Sequence, residues 1–152
     1  MKPGDFTGDF ELLDQTGTPR TLTGLLRIGP VALFFYRSAM TASCTAAIRR
    51  FRDLTPDFAR IGAHPVGISP DPVERQHEFA ALNSLGFPLL SDPDGTVATR
   101  FGARRRVGPL RTRRRTYVID TDRQILDIIT SGLQTPAHAD TALAVLRAHV
   151  PW

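Results

Sequence analysis

One cysteine, Cys44, stands in a chain of 152 residues, so no disulfide can form within it and no C-x-x-C pair exists for dithiol redox chemistry. A chain of this length buries roughly 70% of its unfolded surface and needs no cross-link to hold a core. The near absence of cysteine fits a reducing compartment. Long apolar runs are also missing, with no stretch approaching the roughly 18 residues of a membrane span. The opening residues, MKPGDFTGDFELLDQTG, lack a basic start followed by an apolar segment, so no secretory leader is expected. These absences point to a soluble, cytoplasmic protein. Its length suits a single domain over residues 1–152. Metal ligands are scarce as well. His64, His77, His138 and His149 are scattered, without ligand spacing to one another or to the cysteine. No glycine-rich phosphate loop is present, since Gly102 and Gly108 stand isolated. No metal and no organic cofactor is expected.

Lysine is nearly absent too: Lys2 is the only one, and every other basic residue is arginine. The formal net charge is +4. Arg104, Arg105, Arg106, Arg111, Arg113, Arg114 and Arg115 crowd into one short stretch. That run reads either as a solvated loop or as an anion site.

What is present is alternation of short apolar runs with amphipathic stretches. Leu22 to Leu26 is a short turn or helix, and Val31 to Tyr36 is a continuous apolar run that reads as a strand buried on both faces. Thr41 to Arg60 reads as a helix, with Cys44, Ala47, Ile48, Phe51, Leu54 and Phe58 at three- and four-residue steps. Thr41 or Ser43 is expected to cap it through a side-chain oxygen. Pro56 is expected to kink it or to end its first part near Leu54. Val66 to Ile68 is a second strand. A helix opening at Asp71 or Pro72 runs to Leu82, with Val73, Phe79 and Leu82 inward and Asp71, Glu74 and Glu78 on a solvated face. Phe87 to Leu90 is extended, and Asp92 to Gly95 turns into a short helix ending near Gly102. Thr116 to Ile119 and Ile125 to Ile129 form a hairpin about Asp120 to Arg123. Pro136 to His149 is a final helix with Ala139, Leu143, Val145 and Leu146 as its apolar positions. This order predicts a layered α/β fold, with a central mixed sheet flanked by helices on both faces.

Cys44 carries the chemistry. It falls in the first turn of a helix directly after a buried strand. The first N–H groups of a helix lack partners and the helix dipole is positive there, which favours a thiolate over a thiol. The competing reading is an inert cysteine on the apolar face.

The segment Tyr36-Arg37-Ser38-Ala39-Met40-Thr41-Ala42-Ser43-Cys44-Thr45, with Phe51-Arg52-Asp53-Leu54 beyond it, resembles the active-site segment of the peroxiredoxins, in particular the bacterioferritin-comigratory type. The likeness extends over nearly the whole chain. It takes in Gly4-Asp5-Phe6 to Leu12, Asp14-Gln15-Thr16-Gly17, Val66-Gly67-Ile68-Ser69, Phe87 to Gly95, and Arg114-Arg115-Thr116-Tyr117-Val118-Ile119-Asp120. It implies a thioredoxin-like fold and a thiol-dependent peroxidase without cofactor. Against the family signature P-x-x-x-T-x-x-C, Thr41 holds the threonine place and Cys44 the cysteine, while Arg114 stands where the family's distant arginine belongs. The resemblance therefore implies that Cys44 attacks the peroxide, forming a sulfenate. It implies that Arg114 favours the thiolate by its charge and donates hydrogen bonds to the substrate, and that the Thr41 hydroxyl orients it. Backbone N–H groups of Ser43 and Cys44 would stabilise charge on the leaving oxygen. Ser43, Arg37 and Tyr36 are the candidate substrate contacts; Tyr36 reads equally as a core aromatic.

Three positions depart from the family. Arg37 replaces the signature proline, which shields the sulfur, and either brings a second cation to the site mouth or points outward. Ala47 replaces a glutamate three residues after the cysteine. Arg49 stands where this type often carries a second cysteine. A one-cysteine enzyme needs an external thiol to reduce the sulfenate, either a thioredoxin-like protein or a small-molecule thiol. The departures leave room for a second enzyme, one redirected to a specialised biosynthetic or redox step, with Arg37 and the arginine cluster holding an acidic organic substrate. A third reading is a binding module that meets nucleic acid or another anionic partner through that cluster. No interleaved aromatics support it, so nucleic acid is not the expected partner. A monomer and a homodimer are both compatible with the sequence.

Overall fold

Among the residues that the computed structural model describes, 1–103, 114–130 and 137–149, seven strands and five helices form one layered unit. In chain order they are β1 (Glu11–Leu13), β2 (Pro19–Thr21), α1 (Leu22–Leu26), β3 (Val31–Phe35), α2 (Ala42–Arg60), β4 (His64–Ser69), α3 (Val73–Asn83), β5 (Leu89–Ser91), α4 (Thr96–Arg100), β6 (Arg115–Ile119), β7 (Ile125–Thr130) and α5 (Ala137–His149). The strands make a single sheet in the order β2-β1-β5-β4-β3-β6-β7. β3, β4 and β5 run parallel, and β6 returns antiparallel along the free side of β3, as the mixed α/β reading expects.

The all-apolar run of β3 follows from its central place. Val31, Leu33 and Phe35 enter a core shared with α1 and α4. Ala32, Phe34 and Tyr36 enter the opposite core, shared with α2, α3 and α5. Successive side chains of a strand face opposite ways, so a strand covered on both faces has no position left for a polar residue. Phe34 is the hub of the second core, with ring centres 5.2 Å from Phe51, 5.9 Å from Tyr36 and 5.8 Å from His138. Gly67 of β4 makes room beside it. A Cβ there would lie 3.1 Å from the Tyr36 ring and 2.7 Å from Leu89.

Three local expectations are corrected. Pro56 does not end a helix near Leu54, and α2 runs on to Arg60. Pro56 lies on the solvent side, where water can reach the Arg52 carbonyl that a proline leaves without an intrahelical donor. Phe51, Leu54 and Phe58 keep the other face in the core, and the Thr55 hydroxyl donates to the Phe51 carbonyl at 2.9 Å. Leu82 faces outward, 66% exposed. The inward positions of α3 are Gln76, Phe79, Ala80 and Asn83, and the two polar members are buried because their groups are bonded. Gln76 Nε2 donates to Ser69 Oγ at 2.9 Å and to the Leu90 carbonyl at 2.8 Å. Asn83 Nδ2 donates to the Phe79 carbonyl at 2.9 Å, and its Oδ1 accepts from Arg49 Nε at 2.8 Å. Asp71, read from the sequence as part of a solvated face, is only 8% exposed. The expected start of the last helix, Pro136, lies outside the described residues.

Candidate active site

β3 and β4 are parallel and end at the same edge of the sheet, so the loops that follow them are neighbours. Parallel α/β sheets gather their sites at the carboxyl ends of the strands. Here the loop after β3 leads into α2, whose N-cap residue is Thr41. The first helical bond runs from the Thr45 N–H to the Thr41 carbonyl at 2.9 Å. By helix geometry the N–H groups of Ala42, Ser43 and Cys44 then have no intrahelical acceptor.

The expected side-chain cap is not made. The Thr41 hydroxyl turns back into the loop and donates to the Ser38 carbonyl at 3.0 Å. The loop geometry demands this turn, because Met40 stands in the left-handed region at φ 71°. Such a conformation costs a non-glycine residue about 1–3 kcal/mol and persists only where its surroundings fix it. The consequence is a helix start whose donors are not quenched by their own cap.

Cys44 lies one turn inward. Its side chain is fully buried in the cluster with Phe34, Ala47, Ile48 and Phe51, whereas Thr41, Ala42 and Ser43 are exposed. The thiol therefore sits at the floor of the helix start and not on its outer surface.

The residue before β6 supplies the cation. Phe35 pairs with Arg115, so the register carried one step further sets Arg114 beside Tyr36, where the site loop begins. Alternation along β6 then sorts its residues. Arg115 belongs to the far face, where it donates to the Gly102 carbonyl at 3.1 Å. Arg114 faces α2, and its guanidinium donates to the hydroxyl of Ser43, the residue next to Cys44. Seventy-one residues of chain separate these two partners. Thr116, two residues on and on the same face, pairs its hydroxyl with His138 Nδ1 at 2.9 Å. His138 is 2% exposed. Burial holds its imidazole below the usual histidine range, the Arg114 charge acts in the same direction, and a bond with the Thr130 backbone opposes them. His138 is therefore a neutral neighbour of the arginine.

The other candidates are placed as follows. Arg37 is partly buried, with its Nε withdrawn from solvent. Tyr36 is fully buried and donates its hydroxyl to Gln76, so it takes the core reading and does not offer its hydroxyl to a ligand. Burial pushes the phenol far above its ordinary value; Asp71 and Cys44 push the same way, against hydrogen bonds to Ser69 and Gln76. Of the arginine cluster, Arg114 and Arg115 are described. Arg104, Arg105, Arg106, Arg111 and Arg113 lie outside the described residues, and so does the anion site expected of them.

Two groups escape a reading by residue pattern. His138 sits on the inward stripe of α5 with Ala142 and Leu146, where a histidine looks no different from one facing water. Asp71 closes a network under the loop. Its Oδ2 accepts from the Ala39 N–H at 2.7 Å and from Ser69 Oγ at 2.6 Å, and its Oδ1 meets Arg75 Nε at 3.1 Å. The i, i+4 spacing of Asp71 and Arg75 was the available signal.

A family model, AhpC/TSA, matches residues 3–128. A protein of Mycobacterium tuberculosis named as a peroxiredoxin is 55% identical over 150 residues, 97% of each chain. Peroxiredoxin Bcp of Escherichia coli is 32% identical over 154 residues, covering 98% of this chain and 97% of its own. Among solved structures, peroxidoxin BcpB of M. tuberculosis superposes with a TM-score of 0.93 at 54% identity over 97% of each chain. The bacterioferritin comigratory protein of Xanthomonas campestris, studied for alkyl peroxide reduction, superposes with a TM-score of 0.84 at 28% identity, over 93% of this chain and 92% of that one.

Proposed function

This chain belongs to the AhpC/TSA family, and from that premise we propose a thiol peroxidase that uses Cys44 as its nucleophile and Arg114 and Thr41 as its substrate-handling groups. The Cys44 thiolate attacks one oxygen of the peroxide. An S–O bond forms, the O–O bond breaks, and its electron pair leaves on the departing oxygen, which takes up a proton to become water or an alcohol. The cysteine is left as a sulfenic acid.

The negative charge that moves from sulfur to oxygen needs donors fixed in advance. The N–H groups at the α2 start and the Arg114 guanidinium are such donors. The exposed Thr41 hydroxyl, oriented by its bond to the Ser38 carbonyl, turns to the peroxide when it enters. The sequence holds one cysteine, so an external thiol attacks the sulfenic sulfur and expels water. A second thiol then attacks the mixed disulfide and returns Cys44 to the thiol.

The observation that carries this reading is the contact of the Arg114 guanidinium with Ser43 at the helix start that holds Cys44. Rapid mixing of the reduced protein with hydrogen peroxide and with an organic hydroperoxide, followed by mass measurement of Cys44, tests it. Sulfenate should form quickly in the native protein, and Cys44→Ser should abolish turnover. Turnover retained by that variant refutes the assignment. Oxidation that needs millimolar peroxide would favour the redirected enzyme instead.

A further inference from the structure

We propose that Asp71 and Arg75 are positioning residues for peroxide attack, holding the loop that carries Thr41 by gripping Ala39 through both its N–H and its carbonyl; this rests on the thiol peroxidase reading above. The loop of residues 37–41, Arg-Ser-Ala-Met-Thr, contains no proline, so no ring fixes any of its φ angles. It also contains Met40 at φ 71°, a conformation that must be imposed from outside. The restraint lies at the adjacent residue. The Ala39 N–H donates to Asp71 Oδ2 at 2.7 Å. The Ala39 carbonyl accepts from an Arg75 terminal nitrogen at 3.2 Å and from the Ser38 hydroxyl at 3.2 Å. Arg75 Nε and Asp71 Oδ1 pair at 3.1 Å, which closes the grip into a ring of four bonded groups.

The clamp is itself anchored. Asp71 follows β4, the parallel neighbour of β3, and Ser69 Oγ both donates to its carboxylate at 2.6 Å and accepts from its backbone N–H at 3.3 Å. Ser69 Oγ is tied in turn to Gln76, and Gln76 to the Tyr36 hydroxyl. One network thus connects the start of the loop at Tyr36 with its middle at Ala39. Thr41 lies two residues beyond Ala39, and its hydroxyl bonds to Ser38, the residue before it. Fixing the Ala39 peptide therefore fixes both the acceptor of the Thr41 hydroxyl and the entry of the chain into α2. Cys44, in contrast, is carried by α2 and packed with Phe34, Ala47, Ile48 and Phe51; the clamp meets that core through Ala39 and Tyr36 and makes no hydrogen bond to α2. Loss of the clamp should misplace the peroxide while leaving the sulfur where it is.

That separation defines the experiment. Asp71→Ala, Asp71→Asn, Arg75→Ala, Arg75→Lys and the double alanine variant are compared in two reactions of Cys44: oxidation by hydrogen peroxide and alkylation by iodoacetamide. Near-UV circular dichroism follows the fold. Asp71→Ala should slow oxidation by about tenfold to a hundredfold, the scale of an ångström-sized misplacement. Its alkylation rate should stay within about twofold, because alkylation needs no oriented O–O bond. Asp71→Asn keeps one acceptor for the Ala39 N–H and Arg75→Lys keeps the charge, so both should fall between native and alanine rates. The double variant should be no slower than Asp71→Ala, since both residues act through one peptide. Oxidation and alkylation falling together, or oxidation unchanged in Asp71→Ala, overturns the proposal. A native protein that peroxide does not oxidise sinks the peroxidase reading and the clamp with it.

Discussion

Removing the Arg114 guanidinium is the most direct perturbation of the proposed chemistry. The side chain brings a full positive charge and several N–H donors to the α2 start, where one of them engages Ser43. A hydrogen bond to a charged group contributes about 1.5–3 kcal/mol. If two donors serve the peroxide in the transition state, Arg114→Ala forfeits about 3–6 kcal/mol, or roughly a hundredfold to ten-thousandfold in rate. Arg114→Lys keeps the charge but loses the planar fork, so it should recover only part of that loss. Ser43→Ala removes only the neutral partner that steadies the guanidinium and should cost about 0.5–1.5 kcal/mol, a two- to tenfold effect. The assay is a single turnover: reduced protein mixed rapidly with a range of hydrogen peroxide concentrations, with the slope of the observed rate giving the second-order constant. The ordering native, Ser43→Ala, Arg114→Lys, Arg114→Ala tests the geometry more severely than any one value. A folded Arg114→Ala protein oxidised within about threefold of the native rate refutes the role, because even one charged donor is worth more than that.

Arg37→Pro restores the residue of the family signature and should leave Cys44 oxidisable by peroxide. A rise beyond tenfold, measured in the same assay, would mean that the native loop is set for another substrate. Buried His138 and half-buried His64 both have folded-state pKa values below the usual 6.5, principally through burial. The unfolded chain therefore binds more protons as pH falls below that value. Stability that is complete above it should decline on acidification, read as a falling urea midpoint between about pH 7.5 and 5.5, and His138→Gln should flatten the decline. Phe51→Ala, at a ring that packs tilted against Phe34 and stacks on Phe58, should cost about 3–5 kcal/mol in denaturant unfolding. Leu82→Ala, at a side chain 66% exposed, should cost less than about 0.5 kcal/mol. Equal losses at the two positions would contradict the outward orientation of Leu82.

Much of this architecture can be read from residue order. The spacing of Cys44, Ala47, Ile48, Phe51, Leu54 and Phe58 is the buried face of α2, and the unbroken apolar run from Val31 is the central strand. Apolar periodicity works there because the element buries what the pattern marks. It fails where polar residues occupy inward positions. Gln76 and Asn83 on α3, Asp71 before it and His138 on α5 are all buried, and each is tolerated only because a distant group satisfies it. Those partners lie from 2 to 40 residues away, and apart from the i, i+4 spacing of Asp71 and Arg75 nothing in the local pattern announces them. Leu82 is the converse, an apolar residue assigned inward whose helix turns its polar neighbours to the core. Arg114 illustrates a third case. Its place in the site came from likeness to a family, and the strand alternation that separates it from Arg115 explains why one arginine of a run reaches the helix start and its neighbour cannot.

If Arg114 acts as proposed, the strand order also governs when the cysteine becomes reactive. β3 and α2 are made early in the chain, whereas the guanidinium arrives just before β6, 71 residues after Ser43. A ribosome that has released only the first half of the protein holds a cysteine without the Arg114 guanidinium. Fragments cut before Arg114 are in the same condition. On the proposed role of Arg114, sensitivity to oxidants is tied to completion of a long-range strand pairing, and truncated chains should be oxidised at the sulfur more slowly than the finished molecule.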